Sequence, residues 1–361
     1  MRICLIASSQ FPIAEPFAGG LEAHTHALAR TLKSRGHEVT LFAAAGSDPA
    51  LEAEAIHPQS LQLTDQARRD ISAAPESWMQ QHHAYLGLML QLAGACQFDV
   101  VHNNSLHHLP VAMSQLLDAP LVTTLHTPPT PWLESAMHYA GHAARFVAVS
   151  RATAGAWSYT AEFSAPVQVI TNGVDTCRWR PGPGGNDAVW IGRIAPEKAP
   201  HLAIEAARAA GIRLQLAGPV MDAAYFAERV QPLLGPAAVY RGHLCHQQLV
   251  EVVGASAVAV VSPIWDEPYG LVAAEAMSCG TPVAATPRGG LIELIGPASG
   301  ALAADDSPAA LAEAIRTALR CDRMRVRQWA QRHLSLTRMV DEYEELYARL
   351  ARNPKQRSPT A

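Results

Sequence analysis

The sequence predicts an α/β chain of two domains, each a doubly wound parallel sheet, facing each other across a cleft between their strand ends. Three observations predict it. The chain opens as strand, glycine-containing loop, helix and strand: RICLIAS, SQFPIAEPFAGG, LEAHTHALARTLKSRGH, then Val39–Ala43, a βαβ unit. The stretch Val258–Gly290 repeats that layout, with an apolar run, a loop broken by Pro263 and Pro268, the helix LVAAEAMSCG, and a strand resuming over Thr281–Thr286. Between the two lies RPGPGGND, residues 180–187, rich in Pro and Gly and without apolar periodicity, which reads as a linker. At 361 residues, two domains fit and each can bury its own core.

Further strands in the first half are Phe98–His102, Leu121–Leu125, Phe146–Ser150 and Val167–Ile170. The helix from Pro75 to Gly94 carries Trp78, Tyr85, Leu88, Met89 and Leu92 in steps of three and four, which marks a core face first and a binding surface second. Residues 46–75 are polar and irregular. Ser150 is placed to cap the helix after its strand. In the second half, strands are expected at Ala188–Ile191, Leu214–Gly218 and Val239–Leu244. Helices are expected at Pro200–Ala210, Gln247–Ala255, Pro308–Arg320, Met324–His333 and, strongly amphipathic, Ser335–Arg352. Residues 353–361 read as a disordered tail. The domain expectation is therefore 1–180, 181–334 and a terminal helix 335–352.

Composition excludes several classes. Hydrophobic residues make up 49% and charged residues 17%, so the chain is globular. A net charge of −4 argues against binding nucleic acid by bulk electrostatics. Six cysteines are scattered with no Cys-x-x-Cys, so neither a zinc site nor a redox pair is indicated, and a reduced, cytoplasmic protein is expected. The apolar run at the N-terminus is too short for a signal peptide. No stretch of about 18 apolar residues exists to span a membrane, and membrane association is not expected.

The chemistry concentrates in the second half. Glu267 lies in the loop after Val258–Val261, and Glu275 lies within the helix that follows. Between them are the first free amides of that helix, around Tyr269, Gly270 and Leu271, which with the helix dipole form an anion site. A carboxylate, an anion cradle and a second carboxylate in line suit a ligand that is anionic in the middle and hydroxylated at both ends. Arg193 and Lys198 sit in the loop GRIAPEKAP, where Arg can fork onto phosphate oxygens and Lys adds a point charge. Gly19 and Gly20 permit a close backbone approach, and the helix they open offers a second anion site. His102, His107 and His108 follow a strand end; with no carboxylate or cysteine beside them, they read as polar lining of a cleft rather than a metal site. His126 stands at the C-terminal end of a strand, where open α/β sheets bind ligands.

These motifs resemble the retaining glycosyltransferases of family 4, which have the GT-B fold. Glu267 to Glu275, followed by Cys-Gly-Thr-Pro-Val, resembles the family's Glu-x7-Glu segment. Gly192-Arg193 to Lys198 resembles its Gly-Arg-x-x-x-x-Lys, with Ala199 in place of the usual Gly. Gly19-Gly20-x-Glu22-x-His24, Asn172-Gly173-Val174-Asp175 and Gly289-Gly290-x-x-Glu293 match further family segments. The resemblance spans roughly residues 1–350. It implies transfer of a sugar from a nucleoside diphosphate sugar, weighted towards UDP, to a small-molecule or glycan acceptor, with the anomeric configuration retained and without a metal. By the resemblance, Glu267 contacts the donor sugar, Glu275 the ribose, and Arg193, Lys198 and the amides near Tyr269, Gly270 and Leu271 the diphosphate. Gly242, His243 and Leu244 meet the base, and His126 lies near the reacting side of the sugar. Gly19 and Gly20 face the donor phosphates, with Glu22, His24, His102 and Asn103 towards the acceptor. The terminal helix is expected to cross back to the first domain. Membrane-associated relatives carry a basic cluster that here shrinks to Arg68-Arg69, so a soluble acceptor is expected. No cofactor is implied, and the chain is expected as a monomer or homodimer. Two other readings stay open: another GT-B enzyme, such as a sugar phosphorylase or a nucleotide-sugar epimerase, and a non-catalytic nucleotide-sugar-binding subunit.

Overall fold

The computed structural model describes residues 1–56, 61–94, 97–158 and 167–352; the expected tail over 353–361 lies outside the described residues. Two parallel sheets organise them. The first contains β1 (Arg2–Ile6), β2 (Glu38–Ala43), β3 (Glu54–Ala55), β4 (Val100–Asn103), β5 (Leu121–Leu125), β6 (Ala144–Ala148) and β7 (Gln168–Val169), in the order β3-β2-β1-β4-β5-β6-β7. The second contains β8 (Ala188–Ile191), β9 (Leu214–Ala217), β10 (Ala238–Tyr240), β11 (Val258–Val261), β12 (Val283–Ala285) and β13 (Gly300–Leu302), in the order β10-β9-β8-β11-β12-β13. The central strands are continuous apolar runs because helices cover both faces of a parallel sheet: Ile3, Cys4, Leu5 and Ile6 are fully buried. In each sheet the strand order reverses beside the first strand, at β1/β4 and β8/β11. Loops leaving adjacent strands at such a point diverge and open a crevice.

The sequence-derived boundaries shift where the backbone turns early. β10 stops at Tyr240 rather than Leu244, because Gly242 takes φ +78° and its carbonyl leaves the ladder to accept the Gly218 amide at 2.9 Å. The edge strands β3 and β13, two and three residues long, fell below the length at which an apolar run stands out. Ser150 does cap its helix, its Oγ accepting the Thr153 amide at 3.0 Å.

The helix Leu336–Arg352 packs on the first sheet although it follows the second. Its Met339, Val340, Tyr343, Leu346 and Tyr347 are buried in one core with Ile3, Leu5, Leu41, Val100 and Val122. The return is paired: Val174 donates to Leu334 O at 2.7 Å and accepts from Leu336 N at 2.9 Å. Gly173 is required there, since a Cβ would lie 2.6 Å from the Leu336 Cα. Both chain crossings between the lobes therefore run side by side.

Two of the acceptor-side expectations are corrected, the first of them by this helix. His102 is fully buried, with Nδ1 at 2.5 Å from the Tyr347 hydroxyl and Nε2 at 2.7 Å from Thr124 Oγ1. Thr124 Oγ1 also meets the Tyr343 hydroxyl at 2.9 Å. Burial holds the His102 imidazole neutral, with its pKa lowered to about 3. Asn103 is equally buried, its Oδ1 accepting from Ser105 Oγ at 2.6 Å and the Ser105 amide at 3.0 Å. Both residues fasten strand ends to their surroundings instead of facing the cleft. Tyr347→Phe removes the partner of a buried imidazole nitrogen and should cost about 1–3 kcal/mol of stability, read as a lower urea midpoint with an unchanged m-value.

Candidate active site between the two sheets

The crevice at the two strand-order reversals is one cavity of ≈ 370 Å³, lined from both lobes. On the second lobe, the loops after β8 and β11 are tied together by Ser262. Its Oγ donates to the Ala199 carbonyl at 3.0 Å and receives the Trp190 indole N–H at 3.1 Å. Ile264 N also donates to Glu197 O at 3.0 Å. These bonds place Lys198 Nζ 2.5 Å from Glu267 Oε2. Ala199, standing where a glycine is usual, takes the left-handed φ +44°, a conformation that strains a side-chain-bearing residue. Trp265, not foreseen from the sequence, completes the cluster: its indole N–H donates to Glu267 Oε2 at 3.1 Å, and the Lys198 ammonium lies 4.9 Å from its ring centroid.

The Glu267 loop is shaped from behind by two glycines. A Cβ on Gly289 would lie 2.3 Å from the Glu267 carbonyl oxygen, and one on Gly290 2.6 Å from that of Pro268. The Gly290 amide holds Glu267 O at 2.7 Å. Glu293, four residues beyond Gly289, reaches the other lobe and accepts the Arg151 and Ala152 amides at 3.2 and 2.9 Å, capping the helix Arg151–Ser158.

Gly270, at φ +95°, turns the chain into the helix Leu271–Ser278, whose N-terminus has no side-chain cap. Its first amides open into the cavity beside Tyr269 and Leu271. Glu275 stands on the same helix, half-buried on the cavity wall. Burial pushes its carboxyl up to about 8, and no hydrogen bond or ion pair reaches that carboxyl among the described residues. A carboxyl shifted by burial with no compensating partner is a pattern found at functional sites.

On the first lobe, Gly19 and Gly20 are where the walls meet. Gly20 packs on Leu271 and Gly19 approaches the Arg193 side chain. The Glu22 carboxylate lies beside Gly19; burial raises its pKa, and the local backbone at Glu22 and Gly19 and the Arg193 charge pull it back. His24 is buried at 3% exposure, with neither ring nitrogen hydrogen-bonded. It packs edge-on against His126, centroids 4.9 Å apart. His126 Nε2 meets Asn104 Oδ1 at 3.0 Å, and the Asn104 amide nitrogen has no partner. Burial lowers His24 to about 4 and holds His126 well below its ordinary value. Both imidazoles are thus neutral hydrogen-bonding groups near pH 7 and weak bases. Gly242 faces Gly218 rather than the cavity, whereas His243 and Leu244 line it; His243 Nε2 lies 3.2 Å from the Phe17 carbonyl. Asn104, like Trp265, was missed because a lone residue after a strand carries no local signal.

Comparison with known proteins agrees with this layout. Residues 18–178 match the description "Glycosyltransferase Family 4" and residues 179–332 match "Glycosyl transferases group 1". Glycogen synthase of Mycobacterium tuberculosis is 30% identical, over 88% of this chain and 86% of its own. This chain belongs to glycosyltransferase family 4. D-inositol 3-phosphate glycosyltransferase of Acidothermus cellulolyticus is 27% identical, over 87% of this chain and 82% of its own. Among solved structures, Anabaena HepE in complex with UDP-glucose superposes with a TM-score of 0.76 at 19% identity, covering 97% of this chain and 100% of that one. Sucrose-phosphate synthase of Thermosynechococcus elongatus gives 0.74 at 20%, covering 97% and 98%. The two sheets therefore form a GT-B fold, and the protein is a glycosyltransferase that uses a nucleotide sugar. No helix of the described residues is long and apolar enough to cross a membrane.

Two outcomes are expected for this glycosyltransferase. Gly289→Ala must displace the Glu267 backbone, because φ is +52° and the carbonyl lies at 2.3 Å; kcat/KM should fall by about tenfold or more while circular dichroism stays native. Glu275 has a folded-state pKa of about 8 against an ordinary 4.5, so the stability it contributes is present below about 4.5 and lost as pH rises to 8. Glu275→Gln should accordingly melt above the wild type at pH 8, and that advantage should shrink towards pH 4.5.

Proposed function

We propose that this glycosyltransferase moves the sugar of a UDP-sugar to a neutral, soluble, hydroxylated acceptor with retention of anomeric configuration. One observation carries the reading: Arg193, Lys198 and the uncapped N-terminus of the helix Leu271–Ser278 share one cavity with Glu267 and Glu275. The diphosphate sits against the two cations and the helix amides, which neutralise charge as the glycosidic bond to the leaving phosphate breaks. Glu267, fixed by Lys198 and Trp265, accepts hydrogen bonds from the sugar hydroxyls. Glu275 accepts from the ribose diol, which supplies the partners it otherwise lacks. HepE, a structural neighbour, was solved with UDP-glucose, which supports UDP as the carrier.

Retention is supported by what the cavity offers near the sugar. Glu267 is engaged by Lys198 at 2.5 Å, and the two imidazoles, His24 and His126, are weak bases. A carboxylate pair for double displacement is not the arrangement here. The leaving phosphate oxygen takes the acceptor proton on the face that the acceptor attacks, and His126 orients the sugar. With Arg193, Lys198 and the helix terminus carrying the positive charge, the reaction proceeds without a divalent cation. The acceptor is read as neutral because, among the described residues lining the cavity, the one arginine or lysine of the first lobe, Arg178, is held by Glu15 at 2.6 Å.

Lys198→Ala should lower kcat/KM by about 10²–10³-fold while circular dichroism stays native; wild-type turnover in that variant would remove the assignment. Turnover in excess EDTA should equal that in magnesium, and proton NMR of the first-formed product should show the donor's anomeric configuration. A product that forms without acceptor, or only with added inorganic phosphate, would instead indicate epimerase or phosphorylase chemistry. Donor binding should hold Glu275 ionised and so release a proton below pH 8. Affinity for UDP-glucose should then rise with pH up to about 8 in the wild type and stay flat in Glu275→Gln, checked by calorimetry in buffers of different ionisation enthalpy.

A further inference from the structure

Outside the donor pocket the first lobe carries a column of stacked rings that the chemistry above does not use. Tyr85 is its root: buried at 2%, it donates its hydroxyl proton to the Ala7 carbonyl at 2.9 Å and accepts the Ser9 amide at 3.0 Å. His107 stacks on Tyr85 with centroids 4.4 Å apart and ring planes at 17°. His108 stacks on His107 at 4.5 Å and 23°, and Trp132 on His108 at 5.4 Å and 28°. Beside the column, Trp78 stacks on His82 at 5.1 Å and 17° and lies 5.9 Å from Trp132. The pile ends in an indole that is 60% exposed although its inner face is covered.

Three properties set this column apart from a buried core. It is rigid, since each ring is held by the next and the root is hydrogen-bonded twice. It is apolar on its faces yet carries unused polar edges: His82 Nδ1 and His107 Nε2 are enclosed and have no hydrogen-bond partner. Burial and the neighbouring imidazoles lower the pKa of His107 and His108, so the rings are neutral at pH 7. Its neighbours in the chain also line the cavity. Leu106, next to His107, lines the cavity, as does Thr127, and Trp132 is five residues beyond Thr127, at most about 18 Å of chain.

An aromatic face with negative π density attracts the positive C–H edge of another group. A pyranose ring offers such C–H bonds on its flat face, which suits the exposed indole face of Trp132. We propose that the Tyr85–His107–His108–Trp132 column, with Trp78 and His82 beside it, is an acceptor subsite that holds a chain of pyranose units, with the reacting end in the cavity and a more distant unit on Trp132. The proposal deepens the neutral-acceptor reading of the same cleft and rests on it. A glycan chain rather than a single small polyol is indicated because the exposed ring lies beyond the cavity that holds the reacting sugar.

The test is calorimetric titration of the full chain with linear oligosaccharides of two and of six units, in the α-1,4-glucose, β-1,4-glucose and β-1,4-N-acetylglucosamine series. Wild type, Trp132→Ala and Trp132→Phe are compared. In at least one series, the six-unit chain should bind the wild type about three- to tenfold more tightly than the two-unit chain. Trp132→Ala should abolish that difference and Trp132→Phe should restore most of it. Equal affinities for two and six units in every series, or a length dependence that survives Trp132→Ala, would overturn the subsite. UDP-glucose is titrated in parallel. If the wild type fails to bind it, the donor reading falls, while the length dependence still decides the column on its own.

Discussion

The working geometry of this glycosyltransferase hangs on the close approach of backbone to backbone behind Glu267. Gly289 and Gly290 lie so near the Glu267–Tyr269 main chain that no side chain fits between them. That contact fixes the loop on which Glu267 stands and sets the angle at which the helix Leu271–Ser278 enters the cavity. Lys198 then arrives from a different strand and meets Glu267 at 2.5 Å. A buried ion pair of this kind is a poor source of stability, because removing both charges from water costs about as much as their attraction returns. Its value is positional: it holds a carboxylate and an ammonium where a sugar and a diphosphate would meet.

Elsewhere in the cleft, stability is given up for readiness. Glu275 lacks a partner and is pushed towards its protonated form, and both nitrogens of His24 are enclosed without hydrogen bonds. Such poorly compensated groups cost stability and cluster at functional sites. Glu22 is the contrasting case. Its carboxylate lies beside Gly19, and the local backbone and Arg193 draw it back towards its ionised form.

What could be read from the sequence depended on the distance between partners along the chain. The apolar strands, the Glu267–Glu275 segment and the Arg193–Lys198 loop are local patterns, and the sheets, the GT-B fold and the shared cavity follow from them. His102 was misread because its partner Tyr347 lies 245 positions away; a histidine at a strand end looks the same whether its nitrogens meet a ligand or a distant tyrosine. The ring column was divided among readings, with Trp78 and Tyr85 taken as a helix core face and His107 and His108 as cleft lining, because its members come from separate segments. Gly242 turned away for a reason visible only once Gly218 was placed beside it. The short edge strands β3 and β13 hold too few residues to show a period.

The return of the helix Leu336–Arg352 to the first sheet has a consequence for how the protein is made. As the chain leaves the ribosome, β1–β7 emerge with one face of their sheet covered only in part, by the helix Gly20–Ser34, and they stay so while the entire second lobe is synthesised. The half that is translated first is therefore finished last, the reverse of the usual vectorial order in which an N-terminal domain folds as a unit. Until Tyr343 and Tyr347 arrive, Ile3, Leu5 and Val122 lack part of their cover, and apolar surface of the first lobe stays open to solvent.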